Sequence, residues 1–181
     1  MLFARLLSRR QSTLETVAKA KRGTAAVEFA LLAAPFLFMV VGLIEISLLY
    51  ITASILDHAA GEAARQIRTG QVQQRGDDAA AFRTLVCDEI AAVARCDSDL
   101  RIDVRTFSSF AAADFAPPID PDTGLFAETE NFIAGGPNQI VVVRVFYEWN
   151  MATPGMGALL GNMAGGRRLV QSTVVFRNEP F

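Results

Sequence analysis

The longest uninterrupted hydrophobic stretch lies near the start of the chain. Residues 29–44 (FALLAAPFLFMVVGLI) carry no charge, and after Glu45 eleven more (ISLLYITASIL) have only hydroxyl groups for polarity. As a single helix, residues 29–56 would be about 42 Å long, against a hydrocarbon layer of about 30 Å. The pattern predicts a helix that spans a bilayer, with the span ending at about residue 56, and then emerges from it. The run is longer than the apolar core of an ordinary signal peptide, and no small-residue cleavage site follows it, so the segment is expected to remain as an anchor. Pro35 lies inside the span, where a membrane helix tolerates it as a local kink. Ala26, Ala30, Ala34 and Gly42 form a partly small-residue face that another helix could approach.

Helical spacing continues past the apolar run. Leu56, Ala60, Ala63 and Ile67 recur along DHAAGEAARQIR and its approach, giving a narrow stripe, and Thr69-Gly70 supplies a stop. Asp77 and Asp78 then open a second helix as caps or first-turn acids. Phe82, Leu85, Val86, Ile90 and Val93 share one of its faces, and its end is expected near Arg95-Cys96. Period-two alternation replaces the helical period at residues 100–107, where Leu100, Ile102 and Val104 oppose Arg101, Asp103 and Arg105. Residues 139–150 (QIVVVRVFYEWN) form the strongest strand and residues 167–178 (RRLVQSTVVFRN) a final one. Between them lie two long Gly- and Pro-rich connections, residues 108–138 and 151–166, the second with one short helical turn near 156–163. Two helices followed by about three strands with connections suited to an antiparallel sheet make a small α+β domain. The expected organisation is a leader at 1–23, a long helix at 24–68 and an α+β domain at 69–181.

The charges orient this arrangement. Residues 1–22 hold six basic groups and one acidic group, whereas the chain beyond Leu56 holds eleven basic and sixteen acidic groups. The positive-inside rule then keeps the basic end in the cytoplasm and sends the C-terminal domain across the membrane. Both cysteines, Cys87 and Cys96, fall in that domain, and an oxidising compartment favours their pairing as a disulfide.

Glu28 is the residue that most needs explaining. A carboxylate at the mouth of a membrane helix could sit at headgroup level and interact with the helix N-terminus. Its context is a basic run, then Gly23, four small or apolar residues, Glu28-Phe29 and the apolar helix. Together these resemble a prepilin-type processing site cut between Gly23 and Thr24. An unpaired charge in hydrocarbon costs several kcal/mol or more, and pairing Glu28 with a new terminal amine would remove most of that.

The wider stretch GTAAVEFALLAAPFLFMVVGLIEIS followed by DHAAGEAARQIRTG resembles the TadE family of pseudopilin-like proteins. The resemblance implies a structural role in assembly of the bacterial tight-adherence (Flp) pilus. It implies removal of the leader by a prepilin peptidase, anchoring in the inner membrane with the domain periplasmic, and possible association with the pilus itself. The partners it implies are other minor pilins or pseudopilins, the major Flp pilin and the pilus-assembly platform. Phe29 stands where major Flp pilins usually carry tyrosine, and the chain is much longer than theirs, so a minor subunit is the expectation.

Other candidate chemistry is sparse. Glu45 lies seventeen residues beyond Glu28, about 25 Å along a helix, and either snorkels to the outer interface or pairs with a partner helix. His58, the single histidine, follows Asp57, and helix neighbours point about 100° apart. The acidic loop with Asp120, Asp122, Glu128 and Glu130 lacks the ligand pattern of a calcium loop and is expected to form turns that contact a partner. No nucleophile motif, phosphate-binding loop or basic aromatic patch is present, which argues against an enzyme, a cofactor, a metal site or nucleic-acid binding. The competing reading is a signal-anchored extracytoplasmic sensor or binding domain unrelated to pili.

Overall fold

The computed structural model describes residues 2–91, 96, 99–113, 115–127 and 130–181, with side chains described from Gly23 onward. Helix α1 runs over Leu2–Arg68 with Pro35 inside it, and the short α2 (Gln71–Arg75) follows. After α3 (Ala79–Ile90) come strands β1 (Leu100–Phe107) and β2 (Ile140–Trp149), the one-turn helix α4 (Met156–Leu160) and β3 (Arg168–Arg177). Helix α1 passes through two compact units, one ending at Leu43 and the other running from Ile44 to Phe181.

In the first unit the apolar side chains of α1 face outward, among them Phe29, Leu31, Leu32 and Phe36. Among the described residues one helix, Gly23–Arg68, is long and apolar enough to cross a membrane.

The second unit is the α+β domain. Its sheet is antiparallel in the order β1-β2-β3, with Val104 opposite Val143 and Val143 opposite Val174. One sheet face carries Leu100, Ile102, Val104, Val141, Val143, Val145 and Val170. It packs on the stripe Leu56, Ala59, Ala60, Ala63 and Ile67 of α1 and on Phe82, Val86 and Ile90 of α3. Alanine at three of those five α1 positions allows the helix to come close to the sheet. Gly70 ends the helical run in the left-handed conformation, with φ of 78°, and the Asp78 side chain caps α3 by accepting from the Ala81 amide at 2.9 Å. The expected C-terminal extension of this helix through Val93 and Arg95 lies outside the described residues.

The second sheet face departs from the sequence expectation. Alternation in β1 predicts a polar side open to solvent, yet Asp103 and Arg144 are buried, and nine of the ten residues of β2 are buried. The two long connections supply the cover. Ile119 and Phe126 from the first, and Met163 from the second, pack with Phe146 and Leu169 in a second small core. The connections also join each other, the Ala164 amide donating to the Gly124 carbonyl at 2.7 Å. A strand covered on both faces reads as a continuous apolar run, which is what β2 shows.

Cys87 of α3 is bonded to Cys96, nine positions further along the chain, with Cα atoms 5.6 Å apart. Closing so short a loop restricts the unfolded chain by about 2–3 kcal/mol in the chain-entropy account. Reduction with the full chain in detergent is therefore expected to lower domain stability by about that amount. Denaturant titrations with and without reductant check this, and coincident curves would contradict it.

Candidate functional site

Gly23, Thr24, Glu28 and Phe29 all lie in α1, and all four are exposed. Glycine costs about 1 kcal/mol relative to alanine in a helix, so the Gly23–Thr24 bond sits at a locally weakened point of α1. Thr24 and Glu28 are one turn apart on the same side of the helix, about 6 Å along its axis. An amine created at Thr24 would therefore lie within reach of the Glu28 carboxylate. Glu28 makes no hydrogen bond or ion pair among the described residues, leaving its carboxylate open to a neighbouring chain as well.

Glu45 is placed quite differently. It is 5% exposed, and its two oxygens accept from consecutive backbone amides, those of Ala152 and Thr153, the latter at 3.0 Å. Sequence alone offered interfacial snorkelling or a partner helix. The structure provides a partner inside the chain, at the start of the connection over residues 151–166. The buried part of α1 in the second unit thus includes Glu45, eleven residues before Leu56, while Ile46, Leu48, Tyr50 and Ile51 of the neighbouring turns stay exposed.

A second buried carboxylate organises the loop-covered sheet face. The register sets Asp103 opposite Arg144, whose Nε and Nη2 donate to Asp103 Oδ2 at 3.0 and 2.6 Å. Arg105 Nε donates to Oδ1 at 2.8 Å, and Asn131 Nδ2 does so at 3.2 Å. Burial by itself would raise the Asp103 carboxyl; the hydrogen bonds from Arg144, Arg105 and Asn131 outweigh it and hold the group below the ordinary carboxylate range. Arg144 also donates to the Ala116 carbonyl, and the Asn131 amide to Asp103, so the pair ties the connection over 108–138 to the sheet. Beside it, Glu148 pairs with Arg167 and lies 3.6 Å from Arg101, and Arg101 covers the Phe126 ring.

The remaining candidates have local roles. Asp120 Oδ1 accepts from the amides of Asp122 and Thr123 at 2.8 and 3.0 Å, closing a turn, and these bonds lower its carboxyl. Glu128 lies outside the described residues. His58 is exposed, 3.9 Å from Glu89.

Two features of this arrangement escaped the sequence reading. The Asp103–Arg144 pair was visible only as charges on two strands, because burial came from the long connections that fold back over the sheet. The Ala152–Thr153 amides carry no side-chain signal at all.

With the geometry in place, comparison with known proteins bears on the first segment. Residues 23–65 match the TadE-like protein family. The match begins at the glycine of the processing-like motif, covers Glu28 and Glu45, and ends in the part of α1 packed on the domain. It supports the TadE-like resemblance over that segment and suggests a link to the tight-adherence pilus system. No curated protein and no solved structure is significantly similar to the chain.

Proposed function

We propose that this protein is a membrane-anchored pseudopilin or minor pilin that takes part in assembly of tight-adherence (Flp) pili. The observation that carries this reading is the TadE-like match starting at Gly23, on a membrane-length helix with Glu28 exposed one turn beyond Thr24. Residues 1–23 act as a cytoplasmic leader that a prepilin peptidase removes between Gly23 and Thr24. The helix holds the protein in the bacterial inner membrane with its N-terminus cytoplasmic, and residues 69–181 form the periplasmic domain. The closed Cys87–Cys96 disulfide suits that compartment. Glu28 and Phe29 meet the major Flp pilin, other minor subunits and the assembly platform as helices pack side by side. Glu28 neutralises a terminal amine there, its own or a neighbour's. The role is structural, with no catalytic step.

N-terminal sequencing of the protein extracted from its host membrane tests this. Thr24 is expected as the first residue when the peptidase is present and Met1 when it is deleted. Gly23→Phe is expected to retain the leader and abolish the protein's contribution to piliation. A mature protein that keeps residues 1–23 in a piliated host would remove the main support for the reading.

A further inference from the structure

The connection over residues 150–166 (NMATPGMGALLGNMAGG) contains no charged residue over seventeen positions, whereas residues 108–138 hold five acids. It is also compact. A Cβ on Gly157 would stand 2.6 Å from the Gly166 carbonyl oxygen, so backbone packs directly on backbone there. The Leu169 amide donates to Asn162 Oδ1 at 2.7 Å and Arg168 Nη1 to the Leu160 carbonyl at 2.9 Å, which fix its return to β3. On this ordered loop Leu159 is 73% exposed, more than any other large apolar residue described outside α1. Burying a leucine is worth about 1.5–3 kcal/mol, so a rigid loop that displays one without any charge nearby in sequence is poorly matched to water.

Its position supplies the occupant. The loop begins at Ala152 and Thr153, whose amides hold the Glu45 carboxylate. A hydrocarbon layer of about 30 Å takes about 20 helical residues, which counted from Glu28 ends near Leu48, about 4–5 Å past Glu45. The clamp therefore lies at the bilayer boundary, and it fastens the start of the loop to α1 just before the exposed Ile46, Leu48 and Tyr50.

We propose that residues 150–166 form a lipid-contacting platform. Leu159 enters the interfacial layer of the leaflet through which α1 emerges, so the domain rests on the membrane instead of standing clear of it. The inference rests on the membrane-anchor reading given above. It makes Glu45 a positioning residue that sets the height of the platform.

The test uses the full chain, native disulfide closed, in vesicles of phosphatidylcholine and phosphatidylglycerol. Single cysteines replacing Leu159 or Ala158 carry a nitroxide, and its relative collision with oxygen and with a water-soluble nickel chelate reports depth. Leu37→Cys, mid-helix, is the lipid reference. Gln74→Cys, beyond the far end of α1, is the water reference. A several-fold higher oxygen-to-nickel ratio at Leu159 than at Gln74, intermediate between Gln74 and Leu37, is expected. Lipid-like values at Leu37 with water-like values at Leu159 and Ala158 would overturn the platform and leave the anchor standing, the loop then facing another subunit. A water-like value at Leu37 would overturn the anchor reading, and the platform with it.

Discussion

Arg144→Ala is expected to destabilise the C-terminal domain by about 3–5 kcal/mol, the usual cost of removing one member of a buried ion pair. Asp103 is 3% exposed and Arg144 5%, and each is the other's closest charged partner. Removing the guanidinium leaves a desolvated carboxylate with Arg105 and Asn131 as its remaining donors. It also removes the bond from Arg144 to the Ala116 carbonyl, one of several that tie the connection over 108–138 to the sheet. Urea titration of the full chain in detergent, followed through Trp149, measures the loss. Replacing both partners together, Asp103→Leu with Arg144→Met, is expected to cost less than either single change, because no charge is then left buried and alone. A loss below about 1 kcal/mol for Arg144→Ala would place the pair among weak surface bridges and contradict its burial.

The same pair gives a pH dependence with a definite sign. The folded Asp103 carboxyl is held below the unfolded value of about 3.9. Its contribution is fully present above about pH 4 and is lost as the pH falls through the lower folded value. Asp103→Asn should flatten the acid limb of stability in that window.

Glu45→Ala is the second large effect, and it should be local. The buried amide of Thr153 and that of Ala152 lose their acceptor, and an orphaned buried donor costs about 1–3 kcal/mol. Hydrogen exchange at Ala152 and Thr153 is expected to accelerate roughly tenfold or more, at about 1.4 kcal/mol per factor of ten, while the Val143 and Val145 amides change little. Glu45→Gln keeps one carbonyl acceptor and should give a smaller acceleration. Unchanged exchange at Thr153 in the alanine variant would mean that Glu45 does not hold the loop. The clamp also bears on how Glu45 could serve assembly: a carboxylate with both oxygens engaged by its own domain has little left for a neighbouring helix.

Much of this architecture is legible from local pattern. An apolar stretch longer than a bilayer can only satisfy its backbone as a helix in lipid, so the length and composition of α1 announce themselves. Period-two alternation marks β1, and density of β-branched residues marks β2 and β3, within a residue of the ends observed. Gly70 stops α1, and Asp78 caps α3, because positive φ and an N-cap acceptor are demands met by one residue. The Cys87–Cys96 bond follows from proximity in sequence. The TadE-like resemblance lies wholly in this linear part of the chain, from Gly23 to residue 65.

What the pattern could not carry is the fate of the polar sides. Arg101, Asp103 and Arg105 alternate as a solvent face should, and only the folding of two long connections back over the sheet turned that face into an interior. Once water was excluded there, Asp103 had to find Arg144 on the neighbouring strand, and strand register decided that it could. Glu45 shows the same limit from within the helix. Residue type and depth said that its charge needed a partner, but backbone amides more than a hundred residues away in sequence answered that need. Side-chain periodicity encodes which face of an element turns inward. The groups that meet across the interior are set by long-range packing, and backbone donors leave no trace in the sequence.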